Sequence, residues 1–106
     1  MIRREYMEDG RVWFDDHLCE LADLILGTEG IRYIYLKKHD RTWIRRIGDD
    51  GLKYAVLNMT DKQISIIELL LFEDRTVTDI RKVFDLTMTQ LRSEIKKMRK
   101  ALLAAM

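Results

Sequence analysis

Apolar positions recur at three- and four-residue spacing between Val12 and Leu26: Phe14, Leu18, Leu21, Ala22 and Ile25, with Asp15, Asp16, Glu20 and Asp23 between them. That rhythm predicts an amphipathic helix with one buried face, ended by Gly27. After Gly30 the rhythm changes to two in IRYIYLKK, and the runs TWIRRI and LKYAVLN follow, separated by HDR and GDDG. Tyr33, Tyr35 and the β-branched residues favour extended chain, HDR and GDDG suit hairpin turns, and strict alternation places Ile34 and Leu36 on one face. The expectation is a three-stranded antiparallel meander, which requires a helix over its apolar side.

The second half reads differently. It contains no Pro, and no Gly after Gly51, so nothing interrupts helices there. Three capping boxes mark their starts: Thr60 with Gln63, Thr76 with Asp79, and Thr87 with Gln90. Each precedes an apolar stripe: Ile64, Ile67 and Leu71; then Val77, Ile80 and Phe84; then Leu91, Ile95, Met98 and Leu102. Only Asp85 and Leu86 separate Phe84 from the third cap, too few for the last two helices to lie antiparallel. They must cross steeply, as a helix-turn-helix does. The fold class expected is therefore α+β: residues 1–58 form a helix plus meander that dimerises the protein, binds a partner or braces the rest, and residues 59–106 form the helix-turn-helix unit.

Residues 59–103 resemble region 4 of the bacterial sigma-70 family, especially its small extracytoplasmic-function members, and also the LuxR-type helix-turn-helix. The resemblance is carried by Met59 and Thr60 at the start, Phe72 and Glu73 at the corner, Thr76, Asp79, Ile80, Leu86, Thr87, Leu91 and Ile95, and the closing Lys100, Ala101 and Leu102. It implies DNA reading by the last helix, and it allows docking on RNA polymerase. Two positions depart from the family pattern: Arg81 stands where the family has a small residue at the helix contact, and Asp85 stands where it has the turn glycine. Because residues 1–58 read as helix plus sheet rather than sigma region 2, a complete sigma factor is not expected. An OmpR-type winged helix ranks lower, since the chain leaves no room for a C-terminal wing.

With Leu91, Ile95, Met98 and Leu102 packed inward, steps of about 100° per residue turn Thr89, Ser93, Lys96, Lys97 and Lys100 outward, with Arg92 on the flank. A helix of that kind fits the major groove of duplex DNA. Candidate base contacts are Thr89, Arg92, Ser93 and Lys96, with Gln90 joining them if released from its cap; Arg92 suits bidentate pairing with guanine. Candidate phosphate contacts are Lys97, Lys100 and Arg75, and Thr76 and Thr87 at the helix N-termini. Met88 lies on the buried stripe. The other reading of this run is a solvated cationic face that complements the helix macrodipole.

Net charge is only +1, but it is sorted along the chain: residues 1–30 carry three basic and eight acidic side chains, residues 31–46 six and one, and residues 86–106 five and one. The middle segment, with Lys37, Lys38, Arg41, Arg45 and Arg46, is either a wing-like phosphate contact, through Lys37, Lys38 and Arg45, or protection of an edge strand. The single Cys19 forms no internal disulfide, and Asp15, Asp16 and His17 diverge around a helix, so neither a metal nor another cofactor is expected. Trp13 and Trp43 read as core or interface residues. With no phosphate loop and no Ser/His/Asp set at recognisable spacing, catalysis is not expected. No run approaches a membrane span or a signal peptide, which points to a cytoplasmic protein.

These features together predict a small sequence-specific DNA-binding transcriptional regulator of bacterial or phage type, a homodimer on double-stranded DNA. The alternative is an interaction module that docks on RNA polymerase or another regulator without reading DNA, through acidic residues 1–30 or the apolar tail ALLAAM.

Overall fold

The computed structural model describes residues 11–26 and 30–105, with side chains from Leu18 onward. Among the described residues the chain is all-α: α1 (Arg11–Leu26), α2 (Ile31–Lys38), α3 (Thr42–Arg45), α4 (Asp50–Leu57), α5 (Asp61–Ile67) running into a π-helical turn (Glu68–Phe72), α6 (Val77–Phe84) and α7 (Met88–Ala104). The first helix and the helical second half match the sequence pattern. Gly27 and the side chains of Trp13, Phe14, Asp15, Asp16 and His17 lie outside the described residues.

The meander, and with it the α+β class, is overturned: each run expected as a strand is a helix. IRYIYLKK satisfies two periods at once, because Ile31, Ile34 and Tyr35 are spaced three and four apart as well as lying in an apolar/polar alternation. In α2 Ile31 and Tyr35 are buried and Ile34 is half-buried, while Leu36, which the alternation paired with Ile34, is exposed. Lys37 and Lys38 in the last turn complement the helix dipole, and His39 ends α2 in the left-handed region at φ 53°. The supposed hairpin turns are helix punctuation. Asp40 accepts from the Thr42 amide at 2.9 Å, and Asp49 is the N-cap of α4, accepting from the Leu52 amide at 2.8 Å. Those bonds favour the ionised form of Asp40, and its carboxyl lies below the usual range.

A single core runs from Leu18 to Leu102 and draws on both halves of the chain. α1 packs on α7, α2 and the π turn; α2 packs on α3 and the π turn; α4 and α5 pack on α7; α6 packs on the π turn. Trp43 and Phe72, both fully buried, meet edge to face at 4.8 Å in its centre. An α-helical step would carry Phe72 away from Leu70 and Leu71. The wider π turn, in which the Glu73 amide reaches back to the Glu68 carbonyl at 3.0 Å, keeps all three in the core.

Gly51, in the first turn of α4, is where that helix meets the end of α7. A Cβ there would sit 2.4 Å from the Ala105 carbonyl oxygen and 3.3 Å from the capping carboxylate of Asp49. Gly51→Ala should therefore cost about 1–3 kcal/mol in chemical denaturation, as overpacking does. Deleting residues 105 and 106 in the same variant should recover part of the loss.

Candidate nucleic-acid interface

The candidate interface is built on three capped helices. All three boxes are closed in both directions. Thr60 Oγ1 accepts from the Gln63 amide, Thr76 Oγ1 from the Asp79 amide and Thr87 Oγ1 from the Gln90 amide, each at 3.1 Å, and the partner side chains accept in return from the Thr amides. The third cap starts α7 three residues after α6 ends. Between them Asp85 is held left-handed at φ 53° and ψ 53°, in the place where the resemblance leads one to look for glycine.

Arg81 explains how that turn closes. Its backbone carbonyl accepts from the Leu86 amide at 2.9 Å while its Nε donates to the Leu86 carbonyl at 3.2 Å, so one residue satisfies both backbone groups of Leu86. Sequence reasoning singled out Arg81 only as a departure from a small residue; its hydrogen bond to the turn depends on the path of the backbone. The left-handed Asp85 remains a weak point, and as the C-cap residue it adds a negative charge at the negative end of α6. Asp85→Gly should raise stability by about 1 kcal/mol, the steric relief outweighing the entropy of glycine in the unfolded chain. A thermal midpoint about 4 °C higher would show it.

On α7 the pattern of burial follows the helical period. Leu91, Ile95, Met98 and Leu102 are at most 1% exposed, and Met88 packs half-buried against them. Thr89, Ser93, Lys96, Lys97 and Lys100 are exposed on the opposite side. Among the described residues, none of these three lysines has a hydrogen-bond or ion-pair partner. Arg92 is half-buried on the flank of the buried stripe, and Gln90 is exposed with its carbonyl oxygen committed to the cap at 2.9 Å. Thr76 and Thr87 are exposed at their helix N-termini, their hydroxyls likewise engaged. Arg75 is exposed, 3.8 Å from Glu73.

The second basic segment sits elsewhere. Lys37 and Lys38 end α2 and Arg45 ends α3, all exposed. Among the described residues there is no hairpin there, so they form no wing and guard no edge strand. α2 packs on α1, α3 and the π turn and α3 on α4, whereas α7 packs on α1, α4 and α5.

Two polar contacts behind the exposed face of α7 were not legible in the sequence. Gln63 Nε2 donates to Glu94 Oε1 at 3.0 Å, joining α5 to α7, and Arg99 pairs with Glu20 of α1 at 3.0 Å on the other flank. The second spans 79 residues of chain, so no local spacing rule signals it.

Among the described residues, no group of three His, Cys, Asp or Glu side chains is placed to hold a metal ion, and no helix is long and apolar enough to cross a membrane. No protein-family model, curated protein or solved structure matches this chain.

Proposed function

We propose that the protein is a sequence-specific duplex-DNA-binding regulator in which α6, the turn at Asp85 and α7 form a helix-turn-helix and α7 is the reading helix. The observation that carries this reading is the outward side of α7: Thr89, Ser93, Lys96, Lys97 and Lys100 are exposed together, the lysines without a partner among the described residues, on a helix whose other side is packed in the core. Side chains near the N-terminal end of such a helix reach base edges and the later cations hold phosphates. Thr89, Ser93 and Lys96 are the base-reading set, Arg92 reaches in from the flank, and Lys97 and Lys100 hold the backbone. The resemblance to sigma region 4 supports the same assignment.

Selection from a random duplex pool is the direct test. Enrichment of one motif is the expected result, and recovery of the input distribution would sink the proposal. Arg92→Ala should relax the selected motif at one position, with a change of about 1–3 kcal/mol in preference. Equal enrichment by wild type and variant would remove Arg92 from the reading set.

One observation favours a second reading, that of a docking module for RNA polymerase. Val83 on α6 and Leu103 on α7 are 64% and 48% exposed, a poor fit to a surface that meets only nucleic acid. Polymerase captured from bacterial lysate after nuclease treatment would favour docking over reading.

A further inference from the structure

We infer that Gln63 and Glu94 form a clamp that sets the rotation of α7 about its own axis, and so decides which side chains the helix presents; this rests on the reading of α7 as the DNA-reading helix. Gln63 is used at both ends. Its Oε1 accepts from the Thr60 amide at 3.1 Å, closing the cap of α5, while its Nε2 donates to Glu94 Oε1 at 3.0 Å. Only one orientation of the amide satisfies both partners, because a backbone N–H requires an acceptor and a carboxylate requires a donor. The N-terminus of α5 therefore has a fixed polar link to α7, at a residue that lies between Ser93 and Lys96.

The link is on the right part of the helix to matter. Glu94 projects from one flank of α7 and Arg99, paired with Glu20 of α1, from the other, so the helix is held from both sides of its buried stripe. The close-packed apolar stripe fixes which side of α7 faces inward, and the directional bonds at its two flanks set the fine rotation about that position. At the outer surface of a helix, about 5 Å from its axis, a rotation of about 20° moves the end of a side chain by roughly 2 Å. Hydrogen bonds to base edges do not survive that displacement, whereas flexible lysines still reach phosphate. Loss of the clamp should thus reduce sequence preference and leave general DNA affinity in place. Gln63 and Glu94 are positioning residues, not base contacts.

Gln63→Glu separates the clamp from the cap. A glutamate at this position still accepts from the Thr60 amide and suits a helix N-terminus, but it has no donor for Glu94 and sets a second carboxylate against it. The double variant Gln63→Glu/Glu94→Gln restores a donor on α7 and an acceptor on α5. Three full-length proteins, wild type and these two variants, should be compared by thermal midpoint, by residual dipolar couplings of the α7 amides without DNA, and by affinity for the selected and a random duplex. In Gln63→Glu the α7 couplings should shift and the ratio of selected to random affinity should fall about tenfold, the scale of one base contact. The random-duplex affinity and its salt slope should stay as in wild type, and the double variant should return the couplings and the ratio to wild-type values.

Unchanged couplings in Gln63→Glu would overturn the clamp whatever happens with DNA. A lost ratio that the double variant fails to restore would overturn it too. Wild-type protein with no salt-dependent duplex affinity would instead overturn the DNA reading itself, and this inference with it; that outcome is seen in wild type alone.

Discussion

Lys97→Glu with Lys100→Glu should lower affinity for random duplex about 60-fold at 0.1 M salt, with no comparable loss of stability. Each phosphate contact contributes about 0.9 to the slope of log affinity against log salt, and reversing the two cations removes two contacts, hence about 1.8 decades per decade of salt below 1 M. Titration at several salt concentrations should therefore show both weaker binding and a slope smaller by about the same 1.8. The two side chains are exposed and make no hydrogen bond or ion pair among the described residues, so the thermal midpoint should move little. If these lysines merely complement the negative end of α7, the reversal would cost up to about 1 kcal/mol of stability and leave binding unchanged. The two outcomes are opposite in both measurements.

Trp43→Ala is the substitution expected to do most damage to the fold. Trp43 is fully buried, meets Phe72 edge to face at 4.8 Å, and its Nε1 donates to Glu68 Oε2 at 2.8 Å. Truncating a buried tryptophan costs about 3–5 kcal/mol, and leaving a buried carboxylate without its donor adds about 1–3 kcal/mol. A domain of this size has a total stability of about 5–15 kcal/mol, so most of the margin goes. Circular dichroism and denaturant titration should find a largely unfolded or weakly cooperative chain. Trp43→Phe keeps most of the ring and removes only the N–H, and should cost nearer to the hydrogen-bond share.

The same pair gives the protein a pH response. Burial pushes the Glu68 carboxyl above the usual carboxylate range; the Trp43 hydrogen bond and the Arg41 charge oppose this without cancelling it. A carboxyl whose pKa is raised by folding contributes most stability below its unfolded value and loses that contribution as pH rises through the folded value. Wild type should therefore gain stability relative to Glu68→Gln as pH falls from neutral into the acid range. Denaturation of both proteins across that range measures the difference; a constant gap would mean Glu68 is not strained by its burial.

The helices of the second half were legible because their signals are local. A Thr and its partner three residues on close a cap whatever lies around them, and within α7 Leu91, Ile95, Met98 and Leu102 recur at the one period that puts them on a single side. α1 was legible for the same reason. The segment from Ile31 to Leu57 was not, because its apolar residues satisfy a two-residue and a helical period alike, and Asp40 and Asp49 can punctuate either a hairpin or a helix start.

What resolved that ambiguity was burial. As helices α2, α3 and α4, the segment delivers Ile31, Tyr35, Trp43, Ile44, Ile47, Leu52 and Val56 to one core shared with Phe72 and α7. The sequence by itself determined where the helices of the second half begin, which side of α7 faces inward and therefore where its lysines point, since these follow from neighbours a few residues apart. Only the tertiary structure decided the class of the N-terminal half, the role of Arg81 and the Gln63–Glu94 link, because each depends on which distant segment supplies the partner, and residue spacing carries no record of that.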